Sequence, residues 1–177
     1  MSSPRPDLVV AVDSRGEPVG AAEKLAAHEP PGVLHLAFSV FVFDPEGRLL
    51  LQQRAGTKYH FAGRWSNSCC GHPRPGEGPE AAVERRIYEE LGMRISKLRI
   101  VLPDFRYSAT DASGMVENEI CPVYVAHSSD AVRPDSEEVA EYRWTSGDAI
   151  ILAARHAPFL LSPWSVLQIT ALGRLEP

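Results

Sequence analysis

Apolar residues fall in short runs rather than in one sustained period. Residues 8–12, Leu-Val-Val-Ala-Val, read as a strand, and Asp-Ser-Arg-Gly-Glu after them as a turn. The segment Ala-Ala-Glu-Lys-Leu-Ala-Ala-His-Glu stops at Pro30-Pro31-Gly32, and the next apolar run, 34–55, is interrupted by Asp44-Pro45-Glu46-Gly47. That break predicts two strands joined as a hairpin. Phe41, Val42 and Phe43 are consecutive instead of alternating with polar residues, which predicts a strand covered on both faces.

Residues 56–78 carry Gly, Pro, Ser, Asn and His with no period, and a loop of that length in a compact domain is usually functional. A helix is predicted over 79–91: Pro79 suits its first turn, Val83, Ile87 and Leu91 form one stripe, and Gly92 suits the C-cap. Further strands are predicted near 94–102, 104–108, 115–126 and 139–144, with helical segments near 146–155 and 162–173. Strands on both sides of one strong helix give a single α/β (α+β) domain over 8–173, between a flexible segment 1–7 and a tail 174–177.

Composition narrows the function. With 44% hydrophobic residues in 177, the chain has enough apolar material for a core without disulfides. A net charge of -5 argues against broad nucleic-acid binding and against attraction to anionic membranes. The three cysteines, Cys69, Cys70 and Cys121, make no paired framework and suit a reducing cytoplasm. No apolar stretch approaches the roughly 20 residues of a membrane span, and the opening run is too short for a signal peptide.

The candidate chemistry lies in scattered residues. On a strand through Met-Val-Glu-Asn-Glu-Ile-Cys-Pro, a period of two puts Glu117, Glu119 and Cys121 on one face. Two carboxylates side by side repel unless a cation or proton intervenes; a solvent-facing edge is the plain alternative. His28, His35 and His72 would complete a set suited to a divalent ion of intermediate hardness, if the fold gathers them. For His35 alone, a core-edge imidazole bonded to a backbone carbonyl is an equally good reading. In Cys70-Gly71-His72-Pro73, Gly71 permits a tight turn, and no second Cys/His pair at zinc-knuckle spacing follows. Arg85/Glu89 and Arg86/Glu90 are spaced as surface ion pairs, or Glu90 turns toward the Cys70 loop to hold magnesium. Lys24, Arg54, Lys58, Arg64, Arg74 and Arg86 would neutralise a diphosphate if several converged. There is no Gly-x4-Gly-Lys-Ser/Thr phosphate loop.

From Gly71 to Met93 the pattern G-x5-E-x7-R-R-I-x-E-E-L-G-M resembles the Nudix box, with Arg86 where that box has a glutamate. More of the chain resembles type I isopentenyl-diphosphate delta-isomerases, through L-H-L-A-F-S, Q-Q-R-A-G-T-K, W-S-N-S-C-C-G-H-P, E-R-R-I-Y-E-E-L-G, P-D-F-R-Y, E-N-E-I-C-P-V-Y and S-P-W in order. The resemblance implies Nudix-like mixed β-sheets flanked by helices and an allylic isomerase acting on a small isoprenoid diphosphate, as a monomer or alternatively a homodimer. By the same resemblance, Cys70, Glu119 and Tyr107 are catalytic, and His28, His35, His72, Glu117 and Glu119 hold one manganese, zinc or magnesium ion. Glu90 serves a Mg2+ that accompanies the substrate, Lys24, Arg54, Lys58 and Arg86 contact the diphosphate, and Trp164 walls the hydrocarbon. Protonated Glu119 is expected to deliver a proton and a Cys70 thiolate to remove one. Cys69 is an adjacent thiol without an assigned role, and His60 is taken as a bystander. The rival readings are a Nudix pyrophosphohydrolase and a non-catalytic metal-binding interaction module.

Overall fold

The consecutive apolar residues predicted to be covered on both faces occupy a central strand in the computed structural model, which describes residues 7–177. Most of the expected segment 1–7 thus lies outside the described residues. In chain order the strands are β1 (Leu8–Val12), β2 (Pro18–Glu23), β3 (His35–Leu36), β4 (Phe38–Phe43), β5 (Leu49–Arg54), β6 (Trp65–Ser66), β7 (Cys69–Gly71), β8 (Ser96–Leu102), β9 (Arg106–Thr110), β10 (Val116–Ile120), β11 (Val123–His127) and β12 (Val139–Thr145). The helices are α1 (Lys24–His28), α2 (Pro79–Leu91), α3 (Gly147–His156) and α4 (Pro163–Leu172), with a 3-10 turn at Pro158–Leu160.

All six residues of β4 are buried. Phe38, Val40 and Val42 pack with Val83, Ile87 and Leu91 of α2, while Phe41 and Phe43 pack with Ile150 and Ala154 of α3 and Ile169 of α4. Helices on both sides of one sheet therefore explain why the apolar run does not alternate. The predicted α2 stripe is the buried one, Pro79 begins the helix, and Gly92 ends it at φ 64°.

Two sheets divide the strands. One runs β2-β1-β3-β10-β9; the other runs β12-β5-β4-β11-β8, with β6 beside β5 and β7 beside β4. Two predicted strands are each cut in two by this division. The run beginning at Leu34 splits at Ala37 into β3 and β4, and 115–126 splits at Cys121-Pro122 into β10 and β11. Pro122 has no N–H to give a ladder, so it suits a crossing point. The crossings lie side by side, since β3 pairs parallel with β10 and β4 parallel with β11. Ala37 N–H donates to Ile120 O at 2.9 Å and Ser39 N–H to Pro122 O at 3.1 Å. A seam opens there, with strand ends of both sheets around it.

The hairpin prediction holds for the turn and fails for the arms. Asp44 Oδ1 accepts from the N–H groups of Glu46 and Arg48, and Gly47 takes φ 75°. Beyond Phe43↔Leu49 the arms part; β7 lies along β4 and β6 along β5, supplying the partners that buried backbone requires. The 56–78 loop is thus partly sheet. Strand β2 and helix α1 were not predicted: β2 is nearly all exposed and carries no alternation, and α1 depends on Glu23, whose carboxylate accepts from Ala26 N–H at 2.9 Å.

The expected tail is also part of the core, because Leu175 is buried against the α3 and α4 side. A Cβ at Gly147 would collide with the carbonyl oxygen of Leu175. Gly147→Ala should cost about 1–3 kcal/mol by overpacking, read as a lowered thermal midpoint; an unchanged midpoint would show that residues near 175 are not clamped there.

Candidate active site

Sheet crossing and one short helix bring the five scattered ligand candidates together. His28 comes from the end of α1, His35 from β3, His72 follows β7, and Glu117 and Glu119 lie on β10. One donor atom from each lies within 4.8 Å of all the others. His28 Nδ1 is bonded to Lys24 O at 2.6 Å and His35 Nδ1 to Val33 O at 2.7 Å, so both rings present Nε2 to the group. The carbonyl bond expected of a core-edge His35 is present, and it orients the ring toward the group. Metal-binding imidazoles are commonly fixed in this way.

The inward atoms fit a divalent ion. His28 Nε2 lies 3.1 Å from Glu117 Oε2 and His72 Nε2 2.9 Å from Glu119 Oε1, whereas buried His35 Nε2 comes within 3.5 Å of Glu119 Oε1 without making a well-formed hydrogen bond. Glu117 and Glu119 are each only 4% exposed, which overturns the solvent-edge alternative. Burial pushes His72 well below the usual imidazole range, leaving the neutral ring that coordination requires.

Across the seam, Cys70 on β7 pairs with Ser39 of β4. Its Sγ donates to Asn67 Oδ1 at 3.0 Å and lies 3.3 Å from Ser39 Oγ. Asn67 is turned oxygen-first because its Nδ2 donates to Val40 O and Cys69 O. Trp164 Nε1 donates to the same Oδ1 at 3.2 Å, so one buried amide fixes both the thiol and the indole. Tyr107 faces Glu119 in the β9–β10 register and lies 6.0 Å from Trp164 between ring centres. Cys70, Tyr107, Glu117, Glu119 and Trp164 share a cavity of about 480 Å³ with Lys24, Arg54, Lys58 and Arg86.

Burial, reinforced by the Glu119 charge, pushes the Cys70 thiol up to about 12. Burial would raise Glu119 too, but the adjoining His35 imidazole overcomes it and holds the carboxylate near 2. These shifts favour a thiol at Cys70 and a carboxylate at Glu119, the reverse in direction of the thiolate and carboxylic acid that the resemblance implies.

Lys24, Arg54, Lys58 and Arg86 converge, and all of them except Arg54 have an acidic neighbour. Lys24 Nζ is 3.0 Å from Asp7, Lys58 is bonded to Glu138, and the Arg54 guanidinium lies 5.3 Å from the Trp164 ring centre. Arg86 is bonded to Glu90 and lies 3.0 Å from Glu89, while Glu77 takes two bonds from Arg85 at 2.7 and 2.8 Å. The Arg86–Glu90 pair joins a buried carboxylate to a half-buried guanidinium, which corrects its reading as a surface pair. Glu90 stands apart from the five-residue group, with its second oxygen accepting from Gln52 at 3.0 Å.

Comparison with known proteins separates the scaffold from its use. A NUDIX domain model matches residues 33–163. An isopentenyl-diphosphate Delta-isomerase of Frankia alni is 51% identical over 95% of this chain and 87% of its own; that of Citrobacter koseri is 47% identical over 90% and 88%. The chain belongs to the isopentenyl-diphosphate Delta-isomerase family. Its fold is also that of more distant structures. A Deinococcus radiodurans protein superposes with a TM-score of 0.71 at 18% identity, covering 94% of this chain and 99% of that one. A MutT NUDIX hydrolase from Burkholderia pseudomallei gives 0.58 at 24%, covering 77% and 96%.

Two residues of this isomerase-family site escaped sequence reasoning. His60, taken as a bystander, is buried against Glu117. Asn67 carried one signal, its place three residues before Cys70, but nothing local revealed that its amide would reach Trp164.

The position of the proton can be read chemically. Cys69 and Cys121 are buried, leaving Cys70 the accessible thiol. Its alkylation by iodoacetamide, followed on the Cys70 peptide, should rise about tenfold per unit from about pH 7 to 10 without levelling, because thiolate grows as pH approaches 12. A plateau near pH 8 would show an ordinary or activated thiol instead.

Proposed function

We propose that this chain interconverts isopentenyl diphosphate and dimethylallyl diphosphate, using Cys70 and Glu119 as its two proton-exchanging groups. The observation carrying this reading is that one cavity receives a titratable group from each sheet beside a basic cluster. The allylic shift adds a proton at C4 and removes one from C2. An unactivated alkene is a weak base, so acid, base and substrate must be held in register with water excluded.

Starting from thiol and carboxylate, Cys70 delivers its proton to C4 and Glu119 takes one from C2. This leaves thiolate and carboxylic acid, the starting pair for the reverse reaction. Tyr107 lies opposite Glu119 and orients it. Positive charge developing at C3 is sheltered by Trp164, whose π face contributes about 0.5–2 kcal/mol to such a cation. Lys24, Arg54, Lys58 and Arg86 would hold the diphosphate, and a Mg2+ accompanying it would reach Glu90 once Arg86 turns from that carboxylate to the diphosphate. His28, His35, His72, Glu117 and Glu119 hold one manganese, zinc or magnesium ion. When bound, that ion offsets the repulsion between the carboxylates and draws charge from Glu119.

The Nudix scaffold alone would equally suit pyrophosphohydrolysis. Against that, Arg86 replaces a box glutamate, and Arg85 and Arg86 occupy Glu77, Glu89 and Glu90. A non-catalytic metal-binding module leaves the Cys70–Asn67–Trp164 arrangement without a purpose. Among the described residues no helix is long and apolar enough to cross a membrane. The working form we infer is a cytoplasmic monomer, one domain over 8–173 with its closing residues packed on, and a homodimer is the alternative.

Cys70→Ala and Glu119→Gln should each lower kcat about 1,000-fold or more, with circular dichroism unchanged and, for Cys70→Ala, metal content retained. Near-normal turnover in either variant would contradict the assigned roles.

A further inference from the structure

His60 is an imidazole at the metal centre that the proposed reaction does not use. Its ring is 6% exposed, its Nε2 is bonded to Glu117 Oε1, and its Nδ1 is buried without a partner. This is the reverse of His28 and His35, whose Nδ1 atoms are anchored on carbonyls while Nε2 faces the ligand group. A ligand imidazole gives its outer N–H to a neighbour and its inner lone pair to the ion. An imidazole whose partner is a carboxylate oxygen gives that oxygen its proton. Its donor atom also lies outside the five-atom group.

The chain goes to some length to put the ring there. Phe61 sits at φ 47°, in the left-handed region that bulky residues avoid. Its N–H donates to Asp111 Oδ2 at 3.1 Å, Arg54 Nη2 donates to His60 O at 3.1 Å, and the His60 ring lies 4.3 Å from Tyr59 between centres. Asp111 belongs to the turn between β9 and β10, so the strand pair that carries Glu117 also anchors the loop that carries His60.

We propose that His60 is a positioning residue for the metal centre: its Nε2–H holds Glu117 Oε1, so that Oε2 stays turned toward His28 and the ligand group. Without it, the carboxylate loses a buried donor and the rotamer that aims its second oxygen. The inference rests on the reading of His28, His35, His72, Glu117 and Glu119 as a metal centre, and replacing His72 tests that reading separately.

The test uses full-length protein loaded with Mn2+, dialysed against graded chelator, with retained metal counted by atomic emission. His60→Ala should release Mn2+ at about 10- to 100-fold lower chelator concentration than the unaltered chain. His60→Gln, whose amide can still donate, should stay within about threefold. The Mn2+ paramagnetic resonance spectrum should broaden in the alanine variant and not in the glutamine one. His72→Ala should bind almost no metal. If His72→Ala fails to bind while His60→Ala retains metal normally, the His60 role is wrong and the centre stands. If His60→Gln loses metal as readily as His60→Ala, the hydrogen bond is not the cause and the proposal falls. Normal metal retention in His72→Ala would overturn the centre and this inference with it.

Discussion

Glu117 and Glu119 lie two residues apart on one strand face, both buried, and that burial is the constraint on which the site depends. Two ionised carboxylates out of water are costly unless cations or donors surround them. Three chain segments meet this demand: α1 brings His28, β3 brings His35 into register with Glu119, and the turn after β7 brings His72. His60 adds a fourth imidazole from the opened hairpin. Even so, His35 Nε2 stops 3.5 Å from Glu119 Oε1 without a well-formed hydrogen bond, which is the feature most directly pointing to an ion.

The same geometry sets the chemistry. Because β3/β4 and β10/β11 cross between sheets side by side, His35, Glu117 and Glu119 of one sheet meet His28 from α1 and His72 from just beyond β7, while β4 and β7 of the other sheet present Ser39 and Cys70. A thiol that burial disfavours ionising then shares a cavity with a carboxylate whose neighbours favour its ionised form. In the NUDIX helix, arginines neutralise the glutamates. The fold is shared with a MutT NUDIX hydrolase, but in this helix the box glutamates are taken up by arginines.

Much of this was legible in the chain because it was local or carried by motif. Helix α2 showed its stripe, its proline and its glycine cap, and the triplet Phe41-Val42-Phe43 showed a strand buried on both faces. The Cys70 and Glu119 motifs carried a family resemblance that relatives near 50% identity bear out. What was hidden was long-range. No periodicity marks the point where a strand leaves one sheet for another, so Ala37 and Cys121-Pro122 were read through. The hairpin arms part because residues 65–71 wedge between them, and that depends on a segment far from the turn. His60 and Asn67 were missed for the same reason: each has an ordinary sequence neighbourhood and gains its role from partners 57 and 97 positions away.

The central claim is that this NUDIX fold moves a proton pair across an alkene and leaves the phosphoanhydride whole. Isopentenyl diphosphate incubated with the metal-loaded chain in deuterated water, followed together by proton and phosphorus resonance, tests it most directly. The account predicts conversion to an equilibrium mixture with dimethylallyl diphosphate, deuterium entering the new methyl group and no phosphate or monophosphate appearing. Release of phosphate or monophosphate without the allylic isomer would contradict it.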